Sequence, residues 1–111
     1  MVPGTLTPYY TTVESVLHAY ISRPYGQFQR KLVIDRDGNH FIVLLMGWQG
    51  YSYIHTCIIH IEVVGDKVWV QADNTEAGIT YALLDAGIPK EQIVLGFQSP
   101  FERALTEFAT G

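Results

Sequence analysis

The chain has 111 residues, 48% of them hydrophobic and 16% charged, enough for one compact domain that needs neither disulfides nor a structural metal to fold. Its aromatic content of 13% argues against intrinsic disorder, and no apolar run approaches the roughly 20 residues of a membrane span. A net charge of -4 with scattered bases disfavours direct nucleic-acid binding, which draws its affinity from a basic face.

The N-terminal Met1-Val2-Pro3-Gly4-Thr5 has no basic stretch ahead of an apolar one, so no secretory signal is expected. The single cysteine, Cys57, excludes an internal disulfide and suits a reducing cytoplasm. No linker, repeat or low-complexity stretch divides the sequence, and residues 1–111 are expected to form one domain in the cytoplasm.

The first predicted element is a helix, with Thr7 as N-cap and Pro8 at its first position. Tyr9, Val13, Val16, Leu17, Tyr20 and Ile21 recur on one stripe, and Pro24 ends it. From Phe28 the period becomes two, with Phe28, Arg30, Leu32 and Ile34 on one side of a strand. Residues 35–39 form a turn. His40 to Trp48 is almost continuously apolar and reads as a central strand covered on both faces. Tyr53 to Val64 is the longest strand, and Gly65-Asp66 is a hairpin signal leading to Lys67 through Gln71.

A second helix follows, with Asp73 and Glu76 spaced as a capping pair. Ile79, Ala82, Leu83 and Ala86 form its buried stripe, and Gly87 and Pro89 end it. Ile93 to Phe97 is a brief strand or extended run, and the aromatics of the tail from Pro100 imply that it docks. The expected fold is α+β: an N-terminal helix, a four-stranded antiparallel meander, a second helix on the sheet, and a short C-terminal strand and tail.

The longest strand carries His55, Cys57, His60 and Glu62. On a regular strand the first two share one face and the last two share the other, so no single ion could collect all four. His40 is the one obvious additional ligand nearby, whereas a structural zinc site takes four. No cofactor or metal site is therefore expected. Cys57 has no basic neighbour in sequence to activate it and reads as an inert thiol. Phosphate-binding glycine patterns are absent. Trp48, Tyr51, Tyr53 and Trp69 fall on consecutive strands or their turn, and aromatics of this kind anchor protein interfaces.

Several runs taken together resemble the XisI family: Gly47-Trp48-Gln49-Gly50, Cys57 through Val63, Trp69-Val70-Gln71, and Asn74 through Ile79. The most extensive is Ala86 through Phe97, followed by Pro100, Arg103 and Thr106-Glu107-Phe108-Ala109. The chain departs from the family pattern in carrying Tyr53 for an Arg, Thr56 for a Gly and Gln98 for a His. XisI proteins are controlling factors for excision of a DNA element from a cyanobacterial nitrogen-fixation operon. They act with a site-specific recombinase and a companion, XisH, whose family resembles nucleases.

What the resemblance implies is a small α+β accessory protein, not an enzyme, whose partner is a XisH-like protein or a second copy in a homo-oligomer. Partner contacts are expected from Trp48, Tyr51, Tyr53, Trp69 and Arg103. Arg103 would either pair with Glu102 or Glu107 or hold a partner's carboxylate or phosphate. The alternative is a metal-dependent hydrolase or nuclease using His60 and Glu62.

Overall fold

A computed structural model describes residues 9–37, 39–76 and 78–111. Helix α1, Tyr10–Ile21, buries Tyr10, Val13 and Leu17; Val13 and Leu17 lie on the predicted stripe, whose Tyr9, Val16, Tyr20 and Ile21 are partly buried, while the buried Tyr10 falls outside it. The expected cap at Thr7 and Pro8 lies outside the described residues. Strands β1 (Gln29–Asp35), β2 (His40–Gln49), β3 (Ser52–Val64) and β4 (Lys67–Asp73) form the antiparallel meander. A fifth strand, β5 (Ile93–Leu95), joins beside β4 and runs parallel to it. A parallel neighbour needs a crossover. Here the crossover is α2, Ile79–Asp85, and a 3-10 turn at Lys90–Gln92.

The inner face of the sheet holds the core. Phe41 and Val43 of β2, Ile59, Ile61 and Val63 of β3, and Val68 and Val70 of β4 are all buried. They meet Val13 and Leu17 from α1 and Ile79 and Leu83 from α2 in one cluster. Both helices lie over this face, as a two-layer domain requires.

The start of α2 differs from the expectation. The helix begins at Ile79, not soon after Asp73, because Gly78 takes a left-handed φ of 84° that breaks helical continuity. Asp73 still caps it, from the end of β4. One carboxylate oxygen accepts from the Ile79 amide at 2.7 Å. The other accepts from the Thr75 hydroxyl at 2.5 Å and the Thr75 amide at 3.1 Å. The Thr75 hydroxyl in turn accepts from the Gly78 amide at 3.1 Å. Glu76 is exposed and takes no part in these bonds.

The tail docks, but of its apolar residues only Phe108 packs against the core, while Phe101 and Leu105 stay exposed. Ser99 and Glu102 form a reciprocal capping box at α3, Pro100–Arg103. Beyond α3, the Ala109 amide donates to the Ile93 carbonyl at 2.9 Å, so the last residues lie along β5.

Asp73 satisfies three donors of a loop that must close before α2 can pack. Asp73→Ala should lower unfolding stability by about 1–2 kcal/mol, read from urea denaturation. A change below about 0.3 kcal/mol would show that the capping is not what holds this connection.

Candidate functional site

The site is the outer face of β1, β2 and β3, and its composition is set by a bulge. Val43 of β2 pairs with Ile59 of β3, but Leu44 pairs with Cys57, so Ile58 is an extra residue in β3. A regular strand would turn Ile58 outward. The bulge buries Ile58 beside Ile59 instead. The separation of His55 and Cys57 from His60 and Glu62 onto opposite faces therefore does not hold. Pairing puts Trp48 opposite Tyr53, Met46 opposite His55, Leu44 opposite Cys57, Ile42 opposite His60, and His40 opposite Glu62. All ten positions share the outer face.

The second correction concerns β2. Its continuous apolar character predicts cover on both sides, yet the helices cover only the inner one. Ile42, Leu44 and Met46 stay half-buried, Val33 of β1 is 47% exposed, and Trp48 and Tyr53 are 61% and 52% exposed. The Trp48 and Tyr53 rings pack with centroids 5.0 Å apart, and Tyr53 stacks on His55 at 6.2 Å. Tyr51, at the β2–β3 turn, is fully solvated.

At the other end of this face two imidazoles meet. His40 Nδ1 and His60 Nε2 lie 2.9 Å apart, so one ring donates and the other accepts. A doubly protonated pair would set two donors against each other. His40 Nε2 is 3.8 Å from the Glu62 carboxylate, whose second oxygen accepts from Gln71 Nε2 at 3.4 Å. Burial, and then the facing His40, push the His60 pKa below its ordinary value, with Glu62 acting in the opposite sense. Burial raises the Cys57 thiol pKa, partly offset by its bond to the Ile59 carbonyl. Among the described residues no group of three or more His, Cys, Asp or Glu is arranged to hold a metal ion.

Trp69 and Arg103 are placed elsewhere. Trp69 pairs with Glu62 and so lies on the outer face of β4, but the C-terminal segment closes over it. The Arg103 guanidinium sits 5.3 Å from the Trp69 ring centre. Arg103 donates to the Gln98 carbonyl at 3.0 Å and to the Thr110 carbonyl at 2.8 Å. Neither acidic neighbour takes it: Glu102 serves the capping box and Glu107 faces Lys90 at 4.0 Å. Trp48, Tyr51 and Tyr53 are thus brought together, while Trp69 and Arg103 form a separate clamp on the tail. Ile42, Leu44 and Met46 were missed as surface residues. The signal for them was the odd–even split of β2, with Phe41, Val43 and Leu45 able to serve a core by themselves.

Comparison with known proteins gives the following. The family model for XisI protein matches residues 4–110. A crystal structure of a XisI-like protein from Anabaena variabilis superposes with a TM-score of 0.82 at 31% identity, covering 93% of this chain and 96% of that one. The crystal structure of the fdxN element excision controlling factor XisI from the same organism superposes with a TM-score of 0.74, also at 31% identity and the same coverage. A comparison with curated proteins found no match. Among the described residues no helix is long and apolar enough to cross a membrane.

The lowered His60 pKa has a consequence for stability. As pH falls through the ordinary histidine range near 6.5, the unfolded chain takes up this proton before the native one does. The native state loses nothing from this group above that range and is progressively disfavoured below it. Thermal denaturation between about pH 7.5 and 5.5 should therefore show a smaller fall in Tm for His60→Gln than for the parent chain. Parallel curves would remove His60 from the account.

Proposed function

Because the chain belongs to the XisI family, we propose that it is a non-enzymatic accessory protein that controls excision of a DNA element by docking onto another protein. The partner class is XisH-like, and the reaction itself belongs to a site-specific recombinase. The observation that carries this reading is the outer sheet face: the described residues leave Ile42, Leu44 and Met46 only half-buried and Trp48 and Tyr53 exposed. Contiguous exposed apolar surface rimmed by polar groups is characteristic of protein-binding sites. Trp48 and Tyr53, packed on each other, are the anchors, since aromatics dominate interface energetics.

The ionisable groups on this face support a binding role over a catalytic one. His40, His60, Glu62 and Gln71 satisfy one another in a chain, which leaves them committed to structure. The net charge of -4 favours a basic partner. An acidic protein seated against a nuclease-like surface would compete with DNA for it and would associate faster at low salt.

Tagged protein co-expressed with a XisH-like companion should purify as a complex. Trp48→Ala combined with Tyr53→Ala should weaken that complex at least about tenfold while leaving Tm unchanged, as both side chains are half or more exposed. Two species that elute separately at micromolar concentration would overturn the reading, as would a double variant that binds like the parent.

A further inference from the structure

On the opposite side of the sheet the two helices leave a gap. Helix α1 stops at Ile21, and α2 starts only at Ile79. Between them lie the inner-facing Leu45 and the bulged Ile58. A cavity of about 420 Å³ remains there, with Val16, Leu45, Ile58, Ile79 and Ala82 providing its apolar surface. Its size falls within the range of small-molecule sites, and its lining follows their pattern of apolar walls with a few polar groups.

Its polar lining comprises Asn74, Thr75, Glu76 and two guanidiniums, those of Arg23 and Arg30. Arg30 pairs with Leu45 and occupies the inner-facing position of β1, in line with Leu32 and Ile34, which pack on the core. Its guanidinium carbon lies 4.4 Å from the Tyr20 ring centre and 4.8 Å from that of Tyr25, and it donates to the Arg23 carbonyl. Arg36, Lys67 and Lys90 each meet a carboxylate. Among the described residues neither Arg30 nor Arg23 does, although both border the cavity. The two rings hold the Arg30 guanidinium by its face. They do nothing for its edge, where the remaining N–H groups call for an acceptor. Arg30 is half-buried and its bond to the Arg23 carbonyl is exposed, so the edge of the guanidinium remains available to an acceptor that enters the cavity.

We propose that this cavity is a binding site for a small organic carboxylate with an apolar body. The carboxylate accepts a forked pair of hydrogen bonds from Arg30, with Arg23 adding positive potential at the mouth. The apolar body lies on Leu45, Ile58 and Ile79. Glu76, which also lines the cavity, disfavours a second anionic group and so favours monoacids.

Amide NMR titration of the full chain tests this, with 4-phenylbutyrate, indole-3-acetate and octanoate as probes and their neutral amides as controls. Saturable shifts at Ile58, Ile79 and Ala82 are expected for at least one acid. Its amide should bind at least about tenfold more weakly, the loss expected when a charge-assisted pair is removed. Arg30→Gln should cause a similar loss for the acid with little change for the amide. Should that variant fail to fold, the acid–amide comparison on the parent chain decides alone. The proposal is overturned if none of the acids saturates at millimolar concentration, if acid and amide bind alike, or if the shifts map to the outer sheet face. The outcome is independent of partner docking, which uses the other side of the sheet.

Discussion

One residue too many in β3 decides what each face of this sheet can do. Were Ile58 an ordinary strand position and not a bulge, the strand from Ser52 to Val64 would alternate regularly, and His60 and Glu62 would lie opposite to Cys57 and His55. The extra residue resets the phase. Ile58 and Ile59 both turn into the core, and the four polar side chains line up on the outside with every second residue of β2. The Ile58 carbonyl accepts from the Asn74 amide at 2.8 Å, which fastens the bulge to the loop leading into α2. Burial of two adjacent isoleucines makes slippage expensive, because a shift by one residue would expose the inner set along the whole strand. The imidazole pair, the open apolar face and the floor of the inner cavity all follow from this register.

The layers are the second constraint. Two helices cover the inner face, and among the described residues only the segment after β5 packs on the outer one, at the β4–β5 end. There Val94 is fully buried and Trp69 is enclosed by Arg103 and the chain end. The guanidinium suits this task. Its planar fork serves two carbonyls at once while its face rests on the indole, a combination that lysine cannot reproduce. The remaining outer surface, over β1 to β3, has apolar side chains that no part of the described chain reaches.

Much of the fold was legible from local chemistry. The helical stripe through Val13, Leu17 and Ile21, the Gly65-Asp66 hairpin, the meander and the capping role of Asp73 all rest on spacing or turn residues that act within a few positions. The missed features are those without a local signature. Cys57-Ile58-Ile59-His60 reads as an ordinary strand, since a bulge is decided by what two strands can bury together. Ile93-Val94-Leu95 is too short to reveal a parallel partner. β2 read as a two-sided strand because sequence records that a residue is apolar, not whether its own chain covers it. Arg103 invited a carboxylate partner from its charged neighbours, yet carbonyls took it once the tail folded back. The aromatic group at Trp48, Tyr51 and Tyr53 was legible as a cluster, whereas its extension through Met46, Leu44 and Ile42 required the register.

The sheet also constrains how a partner could attach. An exposed edge strand is the usual invitation to add another strand, but both edges here are guarded. At β5 the chain's own Ala109 takes the edge carbonyl of Ile93. At β1 the positions alternate between Arg30 held by Tyr20 and Tyr25, Lys31 facing solvent, and Asp35 at the end. Charged side chains of this kind resist edge-to-edge pairing. Association through backbone hydrogen bonds is therefore disfavoured, and the flat outer face is what remains. Contact through a face depends on side-chain shape and on desolvating Trp48, Tyr53 and their neighbours, which makes it selective for a surface of matching relief. The half-exposed His40–His60–Glu62 chain sits in that same surface. A partner that covers it must leave those internal bonds intact or replace them, and this adds a polar condition to an otherwise apolar fit.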